Sequence, residues 1–454
     1  MSVSIFEHFL TTPDMITVFD DAAIVQAMLQ FEAALAKAQA TEGIIPETAA
    51  RDISSVCNAQ LYNIPVMVNA SRRAGSLAIP LVKELTKTVA LYSEESATYV
   101  HWGSTSQDVI DTAMVLATSQ AVNLIERDLQ VLIKRLMQLA EQHLHTPILA
   151  RTLMQPAQVT SFGFKLVSWL APLIRAREQL RQTATRALAL QLGGAVGTLA
   201  VMGAKGPAVA KRMAADLGLS LPFAAWHTQR DEWVRLGLEV AVLVGSLGKI
   251  ATDLSLLAQG EIAELAEPSG KGRGGSSTMP HKRNPVSCMI ALAAAARAPQ
   301  RAAALLANMG QENERGLGNW QAELAEWPGL FLSAHGAVNA LSEAMAGLQV
   351  DTARMLANID GLQGLVFAES ISIYLAGVIG RPKAHSLMET LTQKAVADHM
   401  HLLDVVTEAV RKDTQLSETI DLAILQNLFD PRAATEVAAA LASTQLAALR
   451  QGGK

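Results

Sequence analysis

Apolar residues recur at helical spacing along most of the chain. In the first such stretch, residues 19–42, four of them follow one another at steps of four, three and four: Ile24, Met28, Phe31 and Leu35. This spacing places them on one face of a helix, which Gly43 and Pro46 end.

Three longer stretches have the same character. Residues 111–143 have apolar residues at alternating steps of three and four, and residues 286–308 are mainly Ala and Leu. Residues 233–267 contain no proline and keep a 3.5-residue apolar seam. The seam consists of Leu236, Val240, Leu243, Leu247, Ile250, Leu254 and Leu257.

The pattern predicts an all-α protein built on a bundle of long helices. Helices of this length with apolar residues on more than one face usually need other subunits to cover them. We predict an N-terminal helical domain over residues 1–108. A central long-helix domain over 109–360 and a C-terminal helical domain over 361–454 follow.

Composition narrows the class of protein. Half of the 454 residues are apolar and only 4% are aromatic, which suits packed helices. No window of about 20 residues is free of charge, and no secretory leader pattern is evident, so we expect a cytoplasmic protein. Cys57 and Cys288 are too few for a disulfide framework or a cysteine-rich metal site. The net charge of −5 argues against nucleic acid or an anionic membrane as partner.

Three polar segments interrupt the helical patterns. Residues 267–285 are rich in glycine and contain four of the chain's cations: Lys271, Arg273, Lys282 and Arg283. They form either a solvated basic loop or a lid over an anionic substrate. Residues 101–108 contain three hydroxyl side chains and precede the long helix that is predicted to start near Asp111. These hydroxyls either cap the helix or form a cradle for an anion. Residues 151–157 are polar around a proline.

Two further polar groups, residues 226–231 and residues 312–315 with Trp320 and Glu323, suggest helix capping and ion pairing.

Residues 275–285, Gly-Ser-Ser-Thr-Met-Pro-His-Lys-Arg-Asn-Pro, resemble the signature loop of the fumarase/aspartase superfamily. Residues 102–108 and 151–157 resemble its first and second active-site segments, in the same order and spacing. The resemblance covers essentially the whole chain. It implies a homotetramer around a central helix bundle, with each active site shared between subunits. It also implies reactions on carboxylate substrates through a stabilised carbanion, with no metal or organic cofactor.

The resemblance also assigns roles to single residues. It gives Ser276 the proton transfer at carbon, and Lys282 and Asn284 the binding of the carboxylate and the charge-rich intermediate. We place Arg315 and the hydroxyls of Ser104, Thr105 and Ser106 around the same substrate. Further substrate contacts are expected from Gln107, Thr152, Gln155, Ser277 and Met279. His281 is expected to be structural.

Two positions depart from the superfamily pattern. A histidine usual after the threonine of the second segment is Leu153 here, and the glutamate that supports it in amine-releasing members falls on Met289. Such a pair protonates a poor leaving group, which contributes roughly 10²–10⁴ in rate. A carboxylate needs no such proton, because with a pKa of about 4 it is ionised at neutral pH.

The lost pair favours intramolecular addition of a carboxylate to a conjugated double bond of a tricarboxylate, which forms a lactone. Residues 101–111, 226–231 and 428–431, and Gly380-Arg381 with His385, resemble the lactone-forming branch in bacterial aromatic catabolism more than the amine lyases. The alternatives are fumarate elimination of the adenylosuccinate lyase type and a non-catalytic structural homologue.

Overall fold

A computed structural model of the chain describes residues 4–270, 272–275, 278–279 and 281–452. Seven helices precede the first long one: α1 (Ile5–His8), α2 (Pro13–Val18), α3 (Asp21–Thr41), α4 (Glu47–Ser55), α5 (Ile64–Ala74), α6 (Ala78–Ala90) and α7 (Glu94–Ala97). The Asp20 side chain caps α3 by accepting the Ala23 N–H at 2.7 Å. Of the predicted stripe on α3, Met28, Phe31 and Leu35 are buried, which confirms this helix and its inner face.

In the described residues of the middle of the chain there are five helices of more than 20 residues. The elements in this part are α8 (Ser106–Gln142), β1 (Pro147–Thr152), β2 (Gln155–Ser161), α9 (Phe162–Ala187), α10 (Gly206–Leu217), α11 (Asp231–Leu257), β3 (Leu265–Ala266), α12 (Val286–Ala307), α13 (Asn319–Ala346) and β4 (Gln349–Val350). The strands form two antiparallel pairs, β1 with β2 and β3 with β4.

The apolar seam predicted on α11 is buried along its whole length. All seven side chains are at most 5% exposed. By length and composition α11 could cross a membrane, with a mean hydropathy of 1.6, and so could α14 with residues 365–379 if that bent pair were one span. Half of the apolar window of α11 is buried inside the chain, as in a core helix.

Seven helices follow the long ones: α14 (Thr352–Asp360), α15 (Ala368–Ile379), α16 (Arg381–Ala397), α17 (Leu402–Lys412), α18 (Thr414–Thr419), α19 (Leu422–Asn427) and α20 (Pro431–Gly452). Their core includes Ile371, Leu375, Leu402, Val406 and Leu425, all fully buried.

The chain divides into two compact units. The first contains residues 1–130, 175–248 and 289–341, and the second contains residues 131–174, 249–288 and 342–454. The division into three domains, at residues 108 and 360, stays a prediction.

Two helix boundaries differ from those predicted, and one hairpin was not predicted. Helix α8 begins at Ser106 and not near Asp111, because the hydroxyl-rich segment supplies its first turn. Helix α11 ends at Leu257, ahead of Gly260 and of Ala263, whose φ is +51°. Residues 151–157 lie in the β1–β2 hairpin, which we did not predict.

Candidate active site

The first active-site segment is fixed by the carboxylate of Asp108, in the first turn of α8. Its Oδ2 accepts the backbone N–H of Thr105 at 3.1 Å and the Ser104 hydroxyl at 3.4 Å. An acidic side chain that bonds back to the residue before a helix is half of a capping box. Ser104, Thr105 and Ser106 are half-buried around this turn. Two of the three predicted cradle residues therefore bond to a carboxylate within the segment.

Asp108 also binds a distant loop of the first unit. Its two oxygens accept the backbone N–H groups of Gly193 and Gly194, each at 2.9 Å, and Oδ1 lies 2.7 Å from His227 Nε2. A Cβ on Gly193 would lie 2.7 Å from both Ala225 and His227. Only glycine lets the loop approach this closely.

A buried ionic cluster lies next to this turn. Arg230 is 1% exposed and pairs with both Asp111, at 2.8 Å, and Glu323. Its guanidinium carbon also lies 4.5 Å from the centre of the Trp226 ring. Burial alone would lower the pKa of Arg230, but the two carboxylates raise it; burial raises the pKa of Glu323, and Arg230 opposes that rise. Residues 226–231 and Glu323 suggested capping and ion pairing in the sequence. In the structure Arg230 and Glu323 form a buried ion pair, which Trp226 contacts through Arg230.

Gln107 joins this cluster to Arg315. The Gln107 amide nitrogen donates to Asp111 Oδ2 at 3.1 Å and to the His227 carbonyl at 2.8 Å. Its oxygen accepts from Arg315 Nη1 at 3.0 Å. Arg315 Nη2 donates to the carbonyls of Gly194 and Ala195, at 2.8 and 3.0 Å. The structure thus brings Arg315 to Gln107 of the first segment. That both this arginine and the segment bind the substrate stays a prediction.

Among the described residues, the hydrogen-bond partners of Arg315 are all neutral oxygens, and it forms no ion pair. It is half-buried, and this burial lowers its pKa, although Asp108 and Asp111 nearby oppose the effect. A cation held by neutral oxygens keeps its charge for an anionic ligand.

The second segment forms the tip of the β1–β2 hairpin in the second unit. Thr152 pairs with Gln155, and the two residues between them have φ values of +50° (Leu153) and +66° (Met154). Leu153 is 97% exposed. The hairpin therefore places exposed Thr152 and Gln155 side by side, with an apolar residue at the position of the superfamily histidine.

Arg151, one residue before this tip, is anchored to a buried carboxylate. Its Nη2 lies 2.9 Å from Oε1 of Glu264, whose side chain is fully buried. Glu264 Oε1 also accepts from the Asn358 amide at 2.8 Å. Arg151 is thereby neutralised and holds the hairpin in place.

The signature loop is held at both of its ends. Glu267 accepts the backbone N–H groups of Ser287 and Cys288, at 3.0 and 2.8 Å, at the start of α12. Arg273 donates to the Ser287 hydroxyl at 2.6 Å and to Glu343 at 3.0 Å. One carboxylate and one guanidinium thus join the residues on either side of the loop.

Within the loop, the backbone of Asn284 donates to the Gly274 carbonyl at 2.9 Å, and a Cβ on Gly274 would lie 2.7 Å from Asn284 O. Lys282, Asn284, Met279 and His281 are exposed. Ser276 and Ser277 lie outside the described residues. Their predicted roles stay predictions, as do those of the other site residues.

The predicted site residues thus fall into groups. Ser104, Thr105, Ser106, Gln107 and Arg315 come together in the first unit, while the hairpin pair and the loop residues belong to the second. In the described part of the chain, no group of three or more His, Cys, Asp or Glu could hold a metal ion.

Comparison with known proteins identifies the family. The family model described as Lyase matches residues 8–299. The chain belongs to this lyase family, and hence to the fumarase/aspartase superfamily that its signature loop indicated.

A 3-carboxy-cis,cis-muconate cycloisomerase from Bradyrhizobium diazoefficiens is 46% identical over 424 residues, 93% of this chain and 93% of that one. One from Pseudomonas aeruginosa is 45% identical over 413 residues, 91% of this chain and 90% of that one. The crystal structure of the 3-carboxy-cis,cis-muconate lactonizing enzyme from Pseudomonas putida superposes with a TM-score of 0.93 at 40% identity, covering 99% of this chain and 100% of that one. The all-α fold of the superfamily type is therefore confirmed.

Proposed function

We propose that this chain is a cofactor-independent cycloisomerase that converts 3-carboxy-cis,cis-muconate into 4-carboxymuconolactone. The observation that carries the proposal is the high identity, over about nine tenths of both chains, to relatives named for this activity. The half-buried Arg315, held by neutral oxygens, supports an anionic substrate.

The reaction needs one new bond and one proton transfer. A substrate carboxylate oxygen attacks a carbon of the diene, and the displaced π electrons become a carbanion next to another carboxylate. Preorganised donors stabilise this dianionic aci-carboxylate in an environment of low dielectric. Ser276 then donates its hydroxyl proton to carbon, Lys282 and loop amides stabilise the resulting alkoxide, and solvent returns the proton.

The remaining predicted residues bind the three carboxylates. We assign Lys282, Asn284 and Arg315 as charged and amide donors, and the hydroxyls of Ser104, Thr105 and Ser106 as a cradle. Thr152 and Gln155 at the hairpin tip and Ser277 and Met279 in the loop complete the set. Exposed Lys282, Asn284, Thr152 and Gln155 are accessible to such a ligand in this chain.

The residues at the two positions that differ from the superfamily pattern support lactonisation over amine release. Leu153 is exposed at the hairpin tip, and Met289, in the first turn of α12, is half exposed. Neither side chain can transfer a proton. A substrate carboxylate that is ionised at neutral pH needs no general acid.

We further infer a homotetramer with active sites shared between subunits, located in the cytoplasm and acting in the breakdown of protocatechuate by the β-ketoadipate pathway. The long helix α11 supports the assembly. Val242 on it is 59% exposed, although the helix's seam is buried. A second subunit would cover such a side chain.

A substrate comparison tests this function against its alternatives. The purified protein is incubated separately with 3-carboxy-cis,cis-muconate and with adenylosuccinate, and lactone and fumarate are quantified. We expect lactone from the first and no fumarate from the second. Fumarate release would favour the amine-lyase alternative, and turnover of neither would favour a structural role.

A further inference from the structure

Two arginines in the first unit have opposite surroundings. Arg230 is fully buried between the carboxylates of Asp111 and Glu323. Arg315 contacts three neutral oxygens, those of Gln107, Gly194 and Ala195. The charge of Arg230 is thus balanced within the cluster, whereas that of Arg315 remains available to a ligand.

We propose that two buried carboxylates, Asp111 and Asp108, position Arg315 through intermediaries, and that Gln107 is a positioning residue for Arg315 and not a substrate ligand. This inference rests on the proposed function only in taking the ligand of Arg315 to be a substrate carboxylate. It changes the role predicted for Gln107.

Its hydrogen-bond partners allow the side-chain amide of Gln107 only one orientation. Its amide nitrogen faces two acceptors, Asp111 Oδ2 and the His227 carbonyl, while its oxygen faces a donor on Arg315. A flipped amide would set oxygen against oxygen and nitrogen against guanidinium. The side chain is 3% exposed, so its polar atoms have little access to a ligand.

Asp111 is itself held from several sides. Its Oδ1 accepts the Trp320 indole N–H at 2.9 Å, and its Oδ2 accepts from Gln191 Nε2 at 3.2 Å and from Arg230 Nη1 at 2.8 Å. A carboxylate with this many donors has little freedom to move. Gln107 therefore presents its oxygen to Arg315 from a rigid support.

Asp108 positions the loop that provides the other two hydrogen-bond acceptors of Arg315. It binds the N–H groups of Gly193 and Gly194, and the carbonyls of Gly194 and Ala195 then accept from Arg315. Gly194 has a φ of +69°, and a Cβ there would lie 2.9 Å from the Gly103 carbonyl. Each buried carboxylate thus places neutral oxygen against Arg315 without itself forming an ion pair with the guanidinium.

A double-mutant cycle on the full chain tests the proposal. The variants are Gln107→Glu, Arg315→Met and the pair, and the readout is the calorimetric Kd for tricarballylate, a tricarboxylate that cannot react. With Arg315 present, Gln107→Glu should weaken binding by about tenfold or more, because the new carboxylate pairs with the guanidinium. Without Arg315, Gln107→Glu should cause no comparable loss. Gln130→Glu, which adds the same charge at an exposed site on α8, should bind as the wild type does.

Gln107→Met serves as a second variant, because it places no charge beside Asp111 and keeps the side-chain length. It should raise KM for 3-carboxy-cis,cis-muconate more than it lowers kcat, with folding checked by circular dichroism. An unchanged Kd in Gln107→Glu, or an equal loss with and without Arg315, would overturn the proposal. A wild-type protein that binds tricarballylate with the expected cycle but forms no lactone would contradict the proposed function alone.

Discussion

Two arginines of the first unit differ in whether a carboxylate balances their charge. The paired one is structural, and the other is available to a ligand. Arg230 meets two carboxylates, whereas Arg315 meets only neutral oxygens among its described contacts. Removing one partner from a fully buried pair leaves an uncompensated charge, which costs about 3–5 kcal/mol. Arg230 is therefore structural.

His101 should make stability depend on pH. Burial alone would lower its pKa, but the Glu32 carboxylate 2.7 Å away raises it above the ordinary value. A raised pKa in the folded state stabilises the protein fully below about pH 6.5, the ordinary value, and this contribution is lost as pH rises through the folded pKa. His101→Asn tolerates the backbone φ of +60° but cannot become charged.

Urea titration of wild type and of His101→Asn gives the free energy of unfolding lost in the variant. We expect this loss to be about 1–2 kcal/mol larger below about pH 6.5 than above the folded-state pKa of His101. His145→Asn is the control, because the His145–Glu436 pair is mostly exposed and contributes little. A difference that does not change with pH would contradict a charged His101.

Leu153→His tests the leaving-group argument. The variant restores the superfamily histidine, yet lactonisation should not become faster, because the attacking carboxylate is already ionised. The measurement is kcat/KM for lactone formation beside wild type, with Leu91→His, at another exposed leucine, as the control. A large gain specific to Leu153→His would show that the reaction needs a general acid there.

The sequence predicted some of these residues and missed others for a physical reason. Arg315 was placed around the same substrate as the hydroxyls of the first segment, and the structure brings it into contact with Gln107 of that segment. The cluster of Asp111, Arg230 and Glu323 was missed, since its members are 119 and 93 positions apart and only folding brings them together. Isolated acidic and basic residues near helix ends look alike whether exposed or buried.

At the scale of elements, helices were predictable and the hairpin was not. The α11 seam follows from apolar spacing alone, and its buried residues confirm it. The start of α8 was misplaced because serine and threonine are read as caps, whereas Ser106 is already helical. The two-residue turn of the hairpin contains Leu153 and Met154 where Asn-Gly is usual, so no turn signal was present.

The strained turn at Leu153 and Met154 should lower the stability of the protein and support substrate binding. Non-glycine residues at positive φ cost roughly 1–2 kcal/mol each. The double change Leu153→Asn with Met154→Gly should therefore raise the free energy of unfolding by about 1 kcal/mol or more. It should also raise KM, because the turn sets the positions of Thr152 and Gln155, which we assign to the substrate. Urea titration and steady-state kinetics measure the two effects.

Leu91→Asn is the matched control, because Leu91 is also exposed but has an ordinary φ of −64°. It should leave both quantities near the wild-type values. A hairpin variant that is less stable than wild type would show that Leu153 and Met154 make stabilising contacts in the assembled protein.

For the whole molecule, the proposed homotetramer implies active sites that contain residues of more than one subunit. Ser276→Ala and Arg315→Met tetramers should each be nearly inactive, and mixing them after dissociation should restore activity. If the two residues come from different subunits, random mixing leaves both intact at roughly a quarter of the sites. Each variant dissociated and reassembled alone is the control, and no recovery in the mixture would place both residues in one subunit.

The central claim is that the chain forms a lactone through proton transfer by Ser276. The most direct measurement follows the loss of diene absorbance of 3-carboxy-cis,cis-muconate with wild type and with Ser276→Ala, product identity being checked by NMR. We expect 4-carboxymuconolactone from the wild type and a rate lower by about 10²–10⁴ in the variant. Near-normal turnover by Ser276→Ala, or no lactone from wild type, would contradict it.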